Sequence, residues 1–151
     1  MTSFHSDLEF AELGEDKLWL YLLKAEGTRN VLDVRKDPWF QKIDIDFIRE
    51  TNKGMFHKYE VKTDRQAHET GNFVFETKSN SNVGCLARSR ADYVYYYLSE
   101  TGTAYLVIMP ELRKYISNNN FKEYVMGDNA RGYLIPIADL VRNNIAVEVK
   151  S

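Results

Sequence analysis

Glu60 and Lys62 stand two residues apart in "KYEVKTD", so on a strand their side chains share one face. Just upstream, "KIDIDFI" alternates in the same way, with Asp44 and Asp46 on one face and Ile43, Ile45 and Phe47 on the other. Two or three carboxylates and one lysine can therefore converge across neighbouring strands. Clustered carboxylates repel one another and favour a hard cation such as Mg²⁺. A cation there would activate water and polarise a phosphoryl oxygen, with an ammonium beside it to steady the charge that develops. These are the parts of phosphodiester hydrolysis. The competing reading is a charged, solvated sheet face with weak surface pairs. A second Glu-Val-Lys, at Glu148–Lys150, has no carboxylate strand before it and shows how readily the tripeptide arises.

The elements that would position these residues follow from periodicity. "SDLEFAELGEDKLWLYLLKAEG" reads as a helix capped by Ser6 and closed at Gly27, with Ala11, Leu18, Leu22 and Ala25 on its buried stripe. Glu15 falls in that stripe, either facing the core with a partner or reaching water from the helix edge. "NVLDVR", "KIDIDFIRE" and "MFHKYEVKT" read as successive antiparallel strands, the last two joined by a turn at "TNKG". "NFVFETK" is the next strand, with Phe73 and Phe75 opposite Val74 and Glu76, and "SNSNVG" is a loop. "LARSRADYVYYYLSE" reads as a helix through Ala87, Ala91, Val94 and Leu98. "TAYLVIMP" is a strand covered on both faces, and Pro110 starts the helix "PELRKYISNN". The tail "GYLIPIADLVRNNIAVEVK" gives a strand, a short helix and a strand. The fold class is α/β, a mixed sheet flanked by helices in a single domain over residues 1–151.

Composition narrows the function. The 151 residues are 44% hydrophobic and 28% charged, which describes a globular chain. The net charge of -2 offers no global basic field, so any nucleic-acid site is a local patch. One cysteine, Cys85, forms no internal disulfide, and the three histidines lack metal-motif spacing. No apolar run spans a membrane and "MTSFHSDLEF" has no signal-peptide pattern, so the expected location is cytoplasmic.

The helix carrying "GEDKLWLYLLKAEG", the strand "KIDIDFI" and the strand "KYEVKTD", in that order, resemble the PD-(D/E)XK nuclease superfamily with its restriction-endonuclease-like fold. The resemblance covers residues 8 to 100 and is nearest in character to small phage or bacterial and Holliday-junction-resolvase-like members. It implies an Mg²⁺-dependent (or Mn²⁺-dependent) deoxyribonuclease. Asp46 and Glu60 would be metal ligands, the Val61 carbonyl a third, and Lys62 the catalytic lysine. Glu15 matches the helix carboxylate that helps hold metal or water, and Asp44 rivals Asp46. The family's Pro before its Asp is replaced by Ile45. Within "GNFVFETKSNSNVGCLARSRADYVYYY", the resemblance puts Glu76 near the metal and Arg88, Ser89 and Tyr93 along a substrate groove. Lys78, with Lys53, Lys58, Arg65, Arg88 and Arg90, would contact phosphates or else be solvated loop charge. The tyrosines serve either packing or base stacking. DNA is the implied partner, without a membrane, and a homodimer and a phage or mobile-element origin are expected by analogy. The rival class is a catalytically inactive nuclease-fold module that binds DNA or protein, and a third reading is a mixed α/β protein with merely charged strands.

Overall fold

A computed structural model describes residues 4–79, 82–127 and 129–150. Helix α1 (Phe4–Lys24) leads into strand β1 (Thr28–Asp33), the short helix α2 (Pro38–Lys42), β2 (Phe47–Thr51) and β3 (Phe56–Asp64). Then come α3 (Ala67–Thr70), β4 (Asn72–Ser79), β5 (Asn82–Val83), α4 (Cys85–Arg88), β6 (Tyr93–Leu98) and β7 (Thr103–Ile108). The chain finishes with α5 (Met109–Asn118), β8 (Glu123–Val125), β9 (Arg131–Pro136), α6 (Ile137–Arg142) and β10 (Ala146–Val149). A six-stranded mixed sheet runs in the order β1-β2-β3-β6-β7-β10, and a second sheet in the order β5-β4-β9-β8.

The two faces of the main sheet are covered by different partners. Residues 59 and 61 of β3 face α1 and pack with Leu18, Leu22, Phe47, Tyr95 and Tyr97. The opposite face packs Val94, Tyr96 and Leu98 against Phe73 and Phe75 of the second sheet. Buried apolar area on both sides of β6 is what holds the layers together. Gly14 lets α1 sit low on β3: a Cβ there would lie 2.5 Å from Thr63 Oγ1 and 3.1 Å from Val61 Cγ1.

Four expectations need correction. First, α1 begins at Phe4, so Ser6 lies inside its first turn and does not cap it; Ala11 is exposed, whereas Leu18 and Leu22 are buried. Second, "KIDIDFI" is not one strand. Asp37 caps α2 by accepting from the Trp39 amide at 2.9 Å, Pro38 opens that helix, and Asp44 takes a left-handed φ of 54°. Strand β2 starts only at Phe47, and so Ile45 packs with Ile48 and Ala91 in a separate small cluster. Third, the segment expected as a helix from Leu86 to Glu100 is one turn of helix followed by β6. β6 is buried on both faces, so its apolar residues fit any spacing, helical included, and the tyrosine run decides for strand. Fourth, β4 leaves the meander for the second sheet, and the neighbour of β3 is β6, in parallel. The expected "SNSNVG" loop falls partly outside the described residues; β5 occupies Asn82–Val83.

Candidate active site

The β2–β3 ladder ends at the pair Phe47 and Tyr59. One step beyond, the Asp46 amide donates to the Tyr59 carbonyl at 2.8 Å, and the Val61 amide donates to Asp46 Oδ2 at 2.8 Å. A side chain thus takes the place of the next backbone rung. Since N–H and C=O of one strand residue point the same way, the Val61 carbonyl also points to the Asp46 side of β3. Burial raises the Asp46 pKa, with the Asp44 charge adding to it, while the Val61 amide opposes the rise.

Glu60 and Lys62 alternate with Val61 and lie on the other face, towards the second sheet. Glu60 keeps some exposure as a residue, yet its Oε2 is shielded and has no hydrogen-bond partner among the described residues. Burial pushes its pKa up to about 8, helped by the charges of Asp44 and Asp46; Ser89 and Lys62 pull the other way. Lys62 Nζ donates to the Val74 carbonyl of β4 at 2.7 Å and lies 5.6 Å from the Tyr96 ring centroid. The Cys85 thiol at the start of α4 feels the same neighbourhood: burial first, then Glu60, push its pKa up to about 11.

Glu15 belongs to the α1 side. It lines a shallow cleft of about 260 Å³ with Phe10, Ala11, Val61 and Thr63, and pairs with Arg35 at 3.5 Å. Burial raises its pKa; Arg35 opposes this and Asp46 adds to it. Arg35 itself is clamped by Asp33 through bonds of 2.9 and 2.6 Å and lies over the Phe47 ring at 5.0 Å. Asp46 therefore stands between two groups on opposite faces, raising the pKa of both Glu15 and Glu60.

The structure brings Asp44, Asp46, Glu60 and Lys62 into one neighbourhood, with Asp44 held by Arg88 at 2.9 Å. Arg88 also feels the Glu60 charge. Of the other expected groove residues, Ser89 stays close enough to act on Glu60, whereas Tyr93 and Lys78 lie elsewhere. Ser89 is fully buried, its carbonyl held by Arg113 at 2.7 Å, and Tyr93 stacks on Tyr59 at 5.3 Å, on the α1 side. Lys78 is exposed on the second sheet, in register with Val83 and Arg131, and Glu76 lies in β4 close enough to act on Cys85. Sequence reasoning passed over Arg35, Val74 and Tyr96. Only Tyr96 gave a signal, as one of the tyrosines left to packing or base stacking.

Among the described residues, no group of three or more His, Cys, Asp or Glu side chains is arranged to hold a metal ion. A cation at this site would have two carboxylates, Asp46 and Glu60, and the Val61 carbonyl. The shielded, unpartnered Glu60 Oε2 fits that role, because a divalent cation would satisfy it and relieve the repulsion from Asp46. Among the described residues, no helix is long and apolar enough to cross a membrane.

Compared by sequence, the chain matches no protein-family model and no curated protein. Compared by structure, it is similar to a bacterial homing endonuclease, I-Ssp6803I. The TM-score is 0.53 at 20% identity, over 73% of this chain and 74% of that one. The chain has a mixed α/β fold, a six-stranded mixed sheet flanked by helices, of a kind found in a nuclease.

Proposed function

We propose that the protein is a metal-dependent deoxyribonuclease of the PD-(D/E)XK type that hydrolyses phosphodiester bonds. The observation that carries this reading is the unpartnered Glu60 Oε2, which feels the charges of Asp44 and Asp46, with Lys62 on the same face. Asp46, Glu60 and the Val61 carbonyl would hold Mg²⁺ or Mn²⁺. When bound, the ion supplies polarisation of a phosphoryl oxygen and activation of water. Lys62 carries a positive charge towards the same place and would steady the negative charge that builds on the phosphoryl group. Arg88, paired with Asp44, would meet a DNA phosphate. The likeness to a homing endonuclease supports DNA as the substrate. A structure-selective, resolvase-like enzyme working as a homodimer is the finer form of this reading, because paired cuts need two sites.

The test is cleavage of plasmid, single-stranded and branched DNA with Mg²⁺ or Mn²⁺, with chelator as control. Lys62→Ala should lower cleavage about 100-fold or more while DNA binding and folding persist. Unchanged cleavage by that variant would remove Lys62 from the chemistry.

A second reading, a non-catalytic module on the same fold, draws on two observations: Lys62 is tied to Val74 and Glu15 to Arg35. It predicts no heat of Mn²⁺ binding in a calorimetric titration.

A further inference from the structure

We propose that Tyr96 is a positioning residue for Lys62, acting through the backbone of Val74, whose N–H and C=O belong to successive peptide groups joined at its Cα. Strand β4 pairs with β9 on one side, and β5 reaches only Lys78 and Ser79 on the other. The Val74 N–H and C=O point to that open side, where the main sheet supplies both partners. The carbonyl accepts from Lys62 Nζ at 2.7 Å, and the amide donates to the Tyr96 hydroxyl oxygen at 3.0 Å. The Tyr96 hydroxyl in turn donates to Asp64 Oδ2 at 2.5 Å. Asp64 Oδ1 accepts the Gln66 and Ala67 amides at 2.7 and 3.0 Å, which fixes the turn that leads into β4.

Each link in this chain other than the lysine is held by hydrogen bonds or packing on more than one side. Tyr96 is fully buried, its ring 4.6 Å from Phe73 and 5.9 Å from Phe75, so its hydroxyl has one place to be. It also stands opposite Lys62 in the parallel register, which brings the ammonium over its ring. A free lysine spreads over many rotamers; one gripped at a carbonyl and above an aromatic face does not. The ammonium keeps two further donors for a substrate oxygen. Removing the Tyr96 hydroxyl orphans the Val74 amide; the Phe73–Val74 peptide is then free to turn, and through φ and ψ of Val74 the next carbonyl, which aims Lys62, shifts with it.

The activity arm of the test rests on the proposed nuclease function; the spectroscopic arm does not. Protein labelled with ¹⁵N-lysine is prepared as wild type, Tyr96→Phe, Lys62→Ala and the double variant, and Asp64→Asn serves as a milder second lesion should Tyr96→Phe fold poorly. The Lys62 ammonium resonance, assigned by its loss in Lys62→Ala, should exchange slowly with water in wild type. It should average with the surface lysines in Tyr96→Phe and shift part of the way in Asp64→Asn. In cleavage assays Tyr96→Phe should lower kcat about tenfold with KM for DNA unchanged, and add nothing to Lys62→Ala. An unchanged Lys62 resonance in both variants would overturn the proposal, as would an equal loss of cleavage from Tyr96→Phe with and without Lys62. Wild-type protein that cleaves no DNA would refute the nuclease reading and leave the resonance to decide the positioning.

Discussion

Asp46 closes the β2–β3 ladder with its side chain: its Oδ2 takes the Val61 amide at 2.8 Å, where a backbone carbonyl would otherwise stand. One carboxylate therefore carries a structural bond with one oxygen and leaves the other for a ligand. Asp46→Asn keeps an oxygen for Val61, so its stability should stay within about 1 kcal/mol of wild type, whereas Asp46→Ala orphans the amide and should cost about 1–3 kcal/mol. Both should abolish Mn²⁺ binding. Urea unfolding and calorimetric titration separate the two effects.

Glu60 makes stability depend on pH. Its folded pKa of about 8 lies above the ordinary value of 4.5, so between those limits the native state binds more protons than the unfolded one. In metal-free protein the Glu60 contribution to stability should be fully present below the lower limit and be lost as pH rises through the upper one. Glu60→Gln, uncharged at every pH, should flatten that decline. Metal affinity should run the opposite way and rise with pH, since the cation must displace the Glu60 proton. Melting curves between about pH 5 and pH 9, with and without Mg²⁺, check both signs.

Glu15 and Glu60 lie on opposite sides of β3, and Glu15 already has Arg35. Glu15→Gln should therefore leave Mn²⁺ affinity within about threefold of wild type, a change of under 1 kcal/mol. Glu60→Gln should lose it. Parallel titrations decide; equal losses would make Glu15 a ligand after all.

Gly14 is an interior helix position where a better helix former should do harm. Alanine gains about 1 kcal/mol in helix propensity. Its methyl, however, would meet Thr63 Oγ1 at 2.5 Å, with Val61 and Tyr97 at 3.1 and 3.2 Å. Such overpacking costs about 1–3 kcal/mol, so Gly14→Ala should be destabilising on balance. Thr63→Ala should recover part of the loss in the double variant, measured by chemical denaturation.

Much of this arrangement was legible in the residues. The helix with Glu15, the hairpin with Glu60 and Lys62, β7, α5 and the closing strand–helix–strand all declare themselves by period and by turn residues. Two segments did not. In "KIDIDFI" a perfect alternation crosses a helix end and a left-handed Asp44, and the signal that should have prevailed was Asp37-Pro38 upstream. In "ADYVYYYL" a buried strand satisfies a helical stripe by being apolar nearly everywhere. The order of carboxylates along the chain pointed to the neighbourhood of Asp46 and Glu60. The facing of Glu15, and the tethering of Lys62, depend on which layer covers which side, and no local pattern records that.

The Val61 carbonyl has a consequence for genetics. It is directed at the Asp46 side by strand geometry alone, and all amino acids possess one. A complete mutational scan at position 61 would report only on how well a side chain packs under α1, and would miss the backbone atom proposed as a metal ligand. Random variation has no means of deleting it, so this part of the site can be lost only by moving the strand.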